Sequence, residues 1–224
     1  MKKIVATAFL TVIGFAVTVV GQAKTDGSNF EGIVTYSINA SDPQYSAMVG
    51  TSLKQYIKGT KSKQVQDGMF SKMRFDDYSK TNSEIVLIDA MGSKYLLKTD
   101  TTKKEADTAA PDIKYIDGTK KIAGYTCKKA QVTITVQDQT VTTTVYYTED
   151  ITIDPKVPLA FKGLKGFPLE YSVSAQGMEI TFSASKVSKE SIPDDTFKAH
   201  VSGYKPMTYE EIMADVQKNM QSGN

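Results

Sequence analysis

Apolar and polar residues alternate with a period of two over most of the chain, and turn-forming dipeptides punctuate the alternation. Ile33, Val34, Tyr36 and Ile38 mark a first strand over residues 30–39, and short strands are expected at 55–59 and 62–66. Asp67-Gly68 is a dipeptide that closes hairpins, and it leads into a strand over 69–75. Strands at 84–89 and 94–98 flank Ala90-Met91-Gly92-Ser93, a second hairpin signature. Residues 99–112 are charged, rich in Thr and Ala, and carry Pro111. They read as a loop with room for one edge strand.

The second half alternates more cleanly. Strands at 125–136 and 140–149 are joined by Gln137-Asp138-Gln139, and strands at 168–175 and 178–187 by Gln176-Gly177. In the last of these Met178, Ile180, Phe182 and Ala184 share one face, while Glu179, Thr181 and Ser183 share the other. One side of the sheet is therefore packed and the other wet, which antiparallel sheets permit. Two helices interrupt the pattern. Thr208 and Glu211 form a capping box ahead of the apolar stripe Ile212, Met213, Val216 and Met220. A shorter helix starts at Asp42-Pro43, with Pro at the first helical position, and ends at Gly50. With no internal repeat and no linker, residues 24–224 read as a single, mainly β domain with one or two short helices, the last near the C-terminus.

The first residues stand outside that pattern. Lys2 and Lys3 precede an apolar run over 4–20, and Gly21-Gln22-Ala23 places small residues at −3 and −1 of a cut before Lys24. The run is long for a leader, but Thr7, Thr11, Gly14 and Thr18 interrupt it, and a spanning helix needs about 20 apolar residues. Residues 1–23 are thus expected to be a cleavable Sec-type signal. With no cysteine at the cut to carry a lipid, the mature protein is expected free in the periplasm or secreted, without stable membrane insertion. Cleavage also changes the charge. The whole chain has 27 Lys and Arg against 25 Asp and Glu, so losing Lys2 and Lys3 leaves 25 of each. A nucleic-acid binder needs a surplus of cations to release counterions from phosphates, and that class is set aside. Arg74 is the sole arginine, and a lysine-dominated set of cations fits a solvated surface better than bidentate anion capture. Cys127 is the only cysteine, so stability must come from a hydrophobic core rather than a disulfide.

Little in the sequence carries chemistry. His200, the only histidine, sits in a polar stretch with no G-x-S-x-G elbow elsewhere. One His and one Cys do not make a zinc site. Asp112…Asp117-Gly118 lacks the middle ligand of a calcium loop. Gly59-Thr60-Lys61-Ser62 lacks the upstream glycine of a phosphate loop and reads as a strand connection. The pairs Asp76-Asp77, Glu149-Asp150 and Asp194-Asp195 place adjacent acids on opposite faces of a strand, so they read as turn and edge solvation. Cys127 runs in phase with Tyr125 and Lys129, which leaves it half exposed, displaced by a bulge, or a buried inert thiol. No metal, cofactor or catalytic residue is assigned, and the protein is expected not to be an enzyme. The bulky and flexible strand residues allow two readings. They are ordinary core, or they line an apolar cavity in a curved sheet, with Met69, Met73, Phe75, Leu169, Tyr171, Met178, Ile180 and Phe182 as the lining candidates.

Several segments together resemble a bacterial envelope family, domain-of-unknown-function family 4412. They are Phe30-Glu31-Gly32, Tyr56-Ile57-Lys58-Gly59, Lys121-Ile122-Ala123-Gly124-Tyr125-Thr126-Cys127-Lys128-Lys129-Ala130, Gly166-Phe167-Pro168-Leu169-Glu170-Tyr171, Gly177-Met178 and Gly203-Tyr204-Lys205-Pro206-Met207. The Ile-Ala-Gly-Tyr-x-Cys and Gly-Phe-Pro-Leu stretches are also similar to the related family named for its GLPGLI motif, from which Gly163-Leu164-Lys165-Gly166-Phe167 departs. Such families are common in Bacteroidota. Both look like distant relatives of the periplasmic lipoprotein-localisation carriers. That resemblance implies a curved antiparallel sheet or incomplete β-barrel whose concave face is covered by helices and holds acyl chains. No ligand-contacting residue of those carriers is matched to a position in this chain. The leading functional expectation is a non-enzymatic periplasmic carrier for a lipid, a lipidated protein or another apolar ligand. The alternative is an envelope protein–protein interaction module.

Overall fold

The computed structural model describes residues 29–81, 83–98, 110–136, 139–175 and 178–222. The expected leader, most of the 99–112 loop, and the turns at 137–138 and 176–177 lie outside them.

The alternating segments pair in sequence order wherever a tight turn joins them. β1 (Gly32–Ala40), helix α1 (Pro43–Val49), β2 (Ser52–Lys58), β3 (Lys61–Gln66), β4 (Phe70–Asp77), β5 (Ile85–Ala90) and β6 (Ser93–Leu97) make the first half. β7 (Asp112–Ile122), β8 (Tyr125–Val136), β9 (Gln139–Thr148), β10 (Phe167–Ala175), β11 (Met178–Lys189), β12 (Lys205–Met207) and helix α2 (Tyr209–Ser222) make the second. The β5–β6 turn needs left-handed backbone at both central positions, and Met91 and Gly92 adopt it with φ of 53° and 81°. Gly50 ends α1 with φ of 79°. The capping box of α2 closes in both directions: the Thr208 N–H donates to Glu211 Oε2 at 2.8 Å, and the Glu211 N–H to Thr208 Oγ1 at 3.3 Å.

All described strands belong to one sheet, ordered β12-β6-β5-β4-β3-β2-β1-β11-β10-β9-β8-β7. β1 pairs with β11 and joins the two meanders into a continuous surface. Every ladder is antiparallel except β12 on β6, which is parallel. Two strands escaped the periodicity. β7 alternates poorly, with most of its side chains exposed. Its pairing with β8, broken by a bulge between Ile116 and Thr119, makes it a strand where no apolar face marks one. β12 spans three residues and exists only because the return towards α2 lies beside β6.

The registers define the inner face. Val34 opposes Gln55, Gln55 opposes Gln64, Gln64 opposes Arg74, and Arg74 opposes Val86, so one row crosses from β1 to β5. On the other side Tyr36, Ile38 and Ala40 oppose Ala184, Phe182 and Ile180. The main core collects on this face around Val34, Tyr36, Ile57, Leu169 and Phe182. The inner face is then covered at two places. α2 lays Ile212 and Val216 on Val86, Ile88 and Tyr95, and the Tyr95 hydroxyl donates to Asp215 at 2.7 Å. Residues 149–166, between β9 and β10, bring Phe161 and Leu164 onto Ala130, Val132, Val145 and Tyr147.

Candidate functional site

Between these two covers lies an opening of about 140 Å³ on the inner face. Residues of β4 and of β8 both line it. Those strands are seven places apart in the sheet order, about 34 Å if the sheet were flat. The sheet therefore curls towards this face, and the opening sits in its concavity.

One wall is aromatic and aliphatic. Tyr171 of β10 stacks on Phe182 of β11 with ring centres 5.1 Å apart and planes at 15°. Phe161 meets Tyr171 edge-on at 5.4 Å, and Tyr36 does so at 6.2 Å. The Tyr36 hydroxyl is held by donating to the Pro168 carbonyl at 2.9 Å, next to the bulge that distorts β10 between Pro168 and Glu170. Burial pushes the Tyr171 and Tyr36 phenols well above the usual tyrosine range, so both stay neutral. Leu159 and Ala160 of the 149–166 segment close the rim.

The facing wall is polar: Gln55, Gln64, Arg74 and Tyr78. Arg74 is buried and forks onto Asp76, Nε to Oδ2 at 2.9 Å and Nη2 to Oδ1 at 3.3 Å, with Glu84 Oε1 at 3.3 Å from Nε. This corrects two readings of the sequence. The sole arginine is not a surface cation but a bidentate partner, and Asp76 is not edge solvation but its buried counterion. Adjacent acids do point to opposite faces: Asp77 accepts from Ser79 and Thr60 on the other side. Lys72 stands two residues before Arg74 on the same strand, hence on the same face. Burial and the neighbouring Arg74 charge push its amine down to about 8, against partial compensation from Glu84 and Asp76.

Of the eight lining candidates, Tyr171 and Phe182 line the opening. Leu169, Met178 and Ile180 are buried elsewhere in the protein. Met73 and Phe75 lie on the opposite face of β4, opposing Val65 and Lys63. The Lys63 amine sits 5.1 Å over the Phe75 ring, which shields that ring on the outer surface. Met69 is exposed in the turn before β4. Tyr36, Phe161 and the four polar residues were not among the candidates. They converge only through the curl of the sheet, and no local pattern marks them.

Elsewhere the acidic pairs are engaged on the surface: Glu149 with Lys128 at 2.7 Å, and Asp194 with Lys58 at 3.1 Å. His200 is exposed. Among the described residues no three His, Cys, Asp or Glu side chains converge as a metal site would require, and no helix is long and apolar enough to cross a membrane. Cys127 is fully buried with Ile122, Ile151 and Phe167, and burial, reinforced by Glu170 and Asp150, pushes its thiol up to about 11. At pH 8 Cys127 is therefore expected to react with a thiol reagent only at the rate of unfolding. Labelling followed by mass spectrometry checks this, and stoichiometric reaction within seconds in native buffer contradicts it.

No protein-family model matches the chain, and no curated protein matches it. Among solved structures it is similar to PNGF-II, with 16% identity and a TM-score of 0.46 over 84% of this chain; the match spans 33% of the PNGF-II chain, about a third of its length. It is also similar to the Mycobacterium tuberculosis lipoprotein LppX, at 12% identity and a TM-score of 0.39 over 73% of this chain and 89% of that one. LprF from Mycobacterium bovis follows at 10% identity and a TM-score of 0.34, with the same coverage.

Proposed function

We propose that the protein is an exported, non-enzymatic binding protein that takes the apolar end of a small amphiphile into the concavity of its sheet. The observation that carries this reading is the opening itself: one wall is Tyr171, Val173, Phe182 and Phe161, the other is polar, and the mouth is not sealed by α2 or by the 149–166 segment. Its size sets the ligand. An engineered apolar cavity of about 150 Å³ holds benzene, whereas drug-sized ligands need about 300–1,000 Å³. The opening accommodates a ring or a short alkyl segment. Export rests on the leader-like residues 1–23, and the family 4412 resemblance is part of the same reading.

Calorimetric titration with a series of 1-alkanols tests it. Affinity is expected to rise with chain length by about 0.8 kcal/mol per methylene and then level off once the opening is filled. Ala160→Trp, at an exposed rim position, is expected to weaken binding at least tenfold without lowering the melting temperature. Absence of binding to every alkanol, or equal binding by the Trp variant, rejects the pocket.

The interaction-module alternative has one observation in its favour: β7 ends the sheet and, among the described strands, pairs only with β8. Its bulge and its exposed Lys114, Lys120 and Lys121 are features that discourage strand addition, which places this reading second.

A further inference from the structure

The side chains of the polar wall divide by their partners. Arg74 and Tyr78 are committed: Arg74 to Asp76 and Glu84, and the Tyr78 hydroxyl to Asp76 as well. Gln55 and Gln64 are not. Neither side-chain amide hydrogen-bonds to any described residue, although both line the opening. Gln66, two residues further along β3 and outside the opening, behaves differently and donates its Nε2 to the Val49 carbonyl at 2.6 Å. Gln55 opposes Gln64 across the β2–β3 ladder, and side chains so paired stand about 5 Å apart. Two half-buried amides thus lie side by side on the concave face, each with a carbonyl oxygen that accepts and an NH2 group that donates. Polar groups partly withdrawn from water gain from a partner that enters the opening and satisfies them.

Resting on the pocket reading above, we infer that Gln55 and Gln64 recognise the head of the amphiphile, and that the head they select is uncharged and both donates and accepts a hydrogen bond, as a carboxamide does. Placement follows from the register. Gln55, Gln64 and Arg74 succeed one another in one row across β2, β3 and β4, and the same opening has Tyr171 and Phe182 on its apolar wall. A ligand with its ring or alkyl end against those aromatics directs its head at the row. Charge decides against an ionised head. Lys72 and Arg74 on this side are balanced by Asp76 and Glu84, so an ion entering here leaves water without gaining a counterion. Shape favours the amide. A carboxamide and a glutamine side chain each donate one N–H and accept one in return, which replaces the bonds both made to water.

NMR titration of the full chain at pH 7 with toluene, benzamide, benzoate and benzylamine separates the steps, since the four share one ring and differ in the head. Benzamide is expected to bind at least fivefold more tightly than benzoate or benzylamine. The double variant Gln55→Met, Gln64→Met is expected to weaken benzamide at least tenfold and to leave toluene binding as tightly as before. Gln55→Glu is expected to reverse the order, with benzylamine binding more tightly than benzamide. If toluene binds but the double variant keeps the benzamide affinity, or if benzoate or benzylamine matches benzamide in the unaltered protein, the glutamine pair is refuted while the apolar pocket stands. An unchanged benzylamine affinity in Gln55→Glu also refutes it. If neither toluene nor benzamide binds, the pocket and the pair fall together. Retained toluene binding in the double variant guards against a mere folding defect.

Discussion

Replacing Arg74 with methionine is expected to destabilise the protein by about 3–5 kcal/mol, because it strands Asp76 as an uncompensated charge inside the concavity. Both groups are buried, at 7% exposure each, and their fork is the main contact that neutralises them. The penalty comes from the partner left behind rather than from the strength of the pair itself. The double variant Arg74→Met, Asp76→Leu is therefore expected to recover most of the loss, since well-packed apolar replacements of a buried ion pair are often neutral or stabilising. Urea unfolding of the two single variants and the double variant closes a thermodynamic cycle. A loss under about 1 kcal/mol for Arg74→Met shows that water reaches Asp76, and the polar wall is then part of the solvent rather than of the site.

Tyr36 is the second position where a large effect is expected. Its ring is 2% exposed, packs edge-on against Tyr171, and reaches across from β1 to the Pro168 carbonyl. Truncation to alanine removes the ring and leaves space that the surrounding core refills only in part, so a loss of about 3–5 kcal/mol is expected. Tyr36→Phe keeps the ring and removes only the hydroxyl. It leaves the Pro168 carbonyl without that donor, for a loss of about 1–2 kcal/mol. The pair of variants also probes function. Tyr36→Ala enlarges the opening on its apolar side, so the chain length at which alkanol affinity levels off is expected to rise. Tyr36→Phe is expected to leave it where it was. If alanine shifts stability by less than about 1 kcal/mol, or if the levelling point does not move, Tyr36 is not a wall of the site.

These two residues also show how far the sequence could be read. Tyr36 sits in the clean alternation of β1, so its inward orientation followed from the period alone. Arg74 was misplaced because β4 carries bulk on both faces. Phe70, Lys72, Arg74 and Asp76 point one way, and Ser71, Met73, Phe75 and Asp77 the other. Hydropathy favours Met73 and Phe75 as the inner set. The protein reverses this, because Arg74 and Asp76 cancel inside and the Lys63 amine covers Phe75 outside. An ion pair two residues apart on one strand face is visible in a sequence, but nothing local says that the face is the buried one.

Strands, hairpin turns and caps were determined by the sequence itself, because each depends on residues within a few positions of one another. The side-chain period is two in β1 and β11, Met91-Gly92 accepts left-handed backbone, and Thr208 and Glu211 satisfy each other's N–H groups. What only the tertiary structure decided is long-range. It includes the β1–β11 pairing that fuses two meanders, the strand character of β7, the parallel seat of β12 and the burial of Arg74. The opening belongs with these, since its walls come from strands seven places apart and meet only when the sheet curls. Curl accumulates from small twists and bulges over many strands, and no single stretch of sequence carries it.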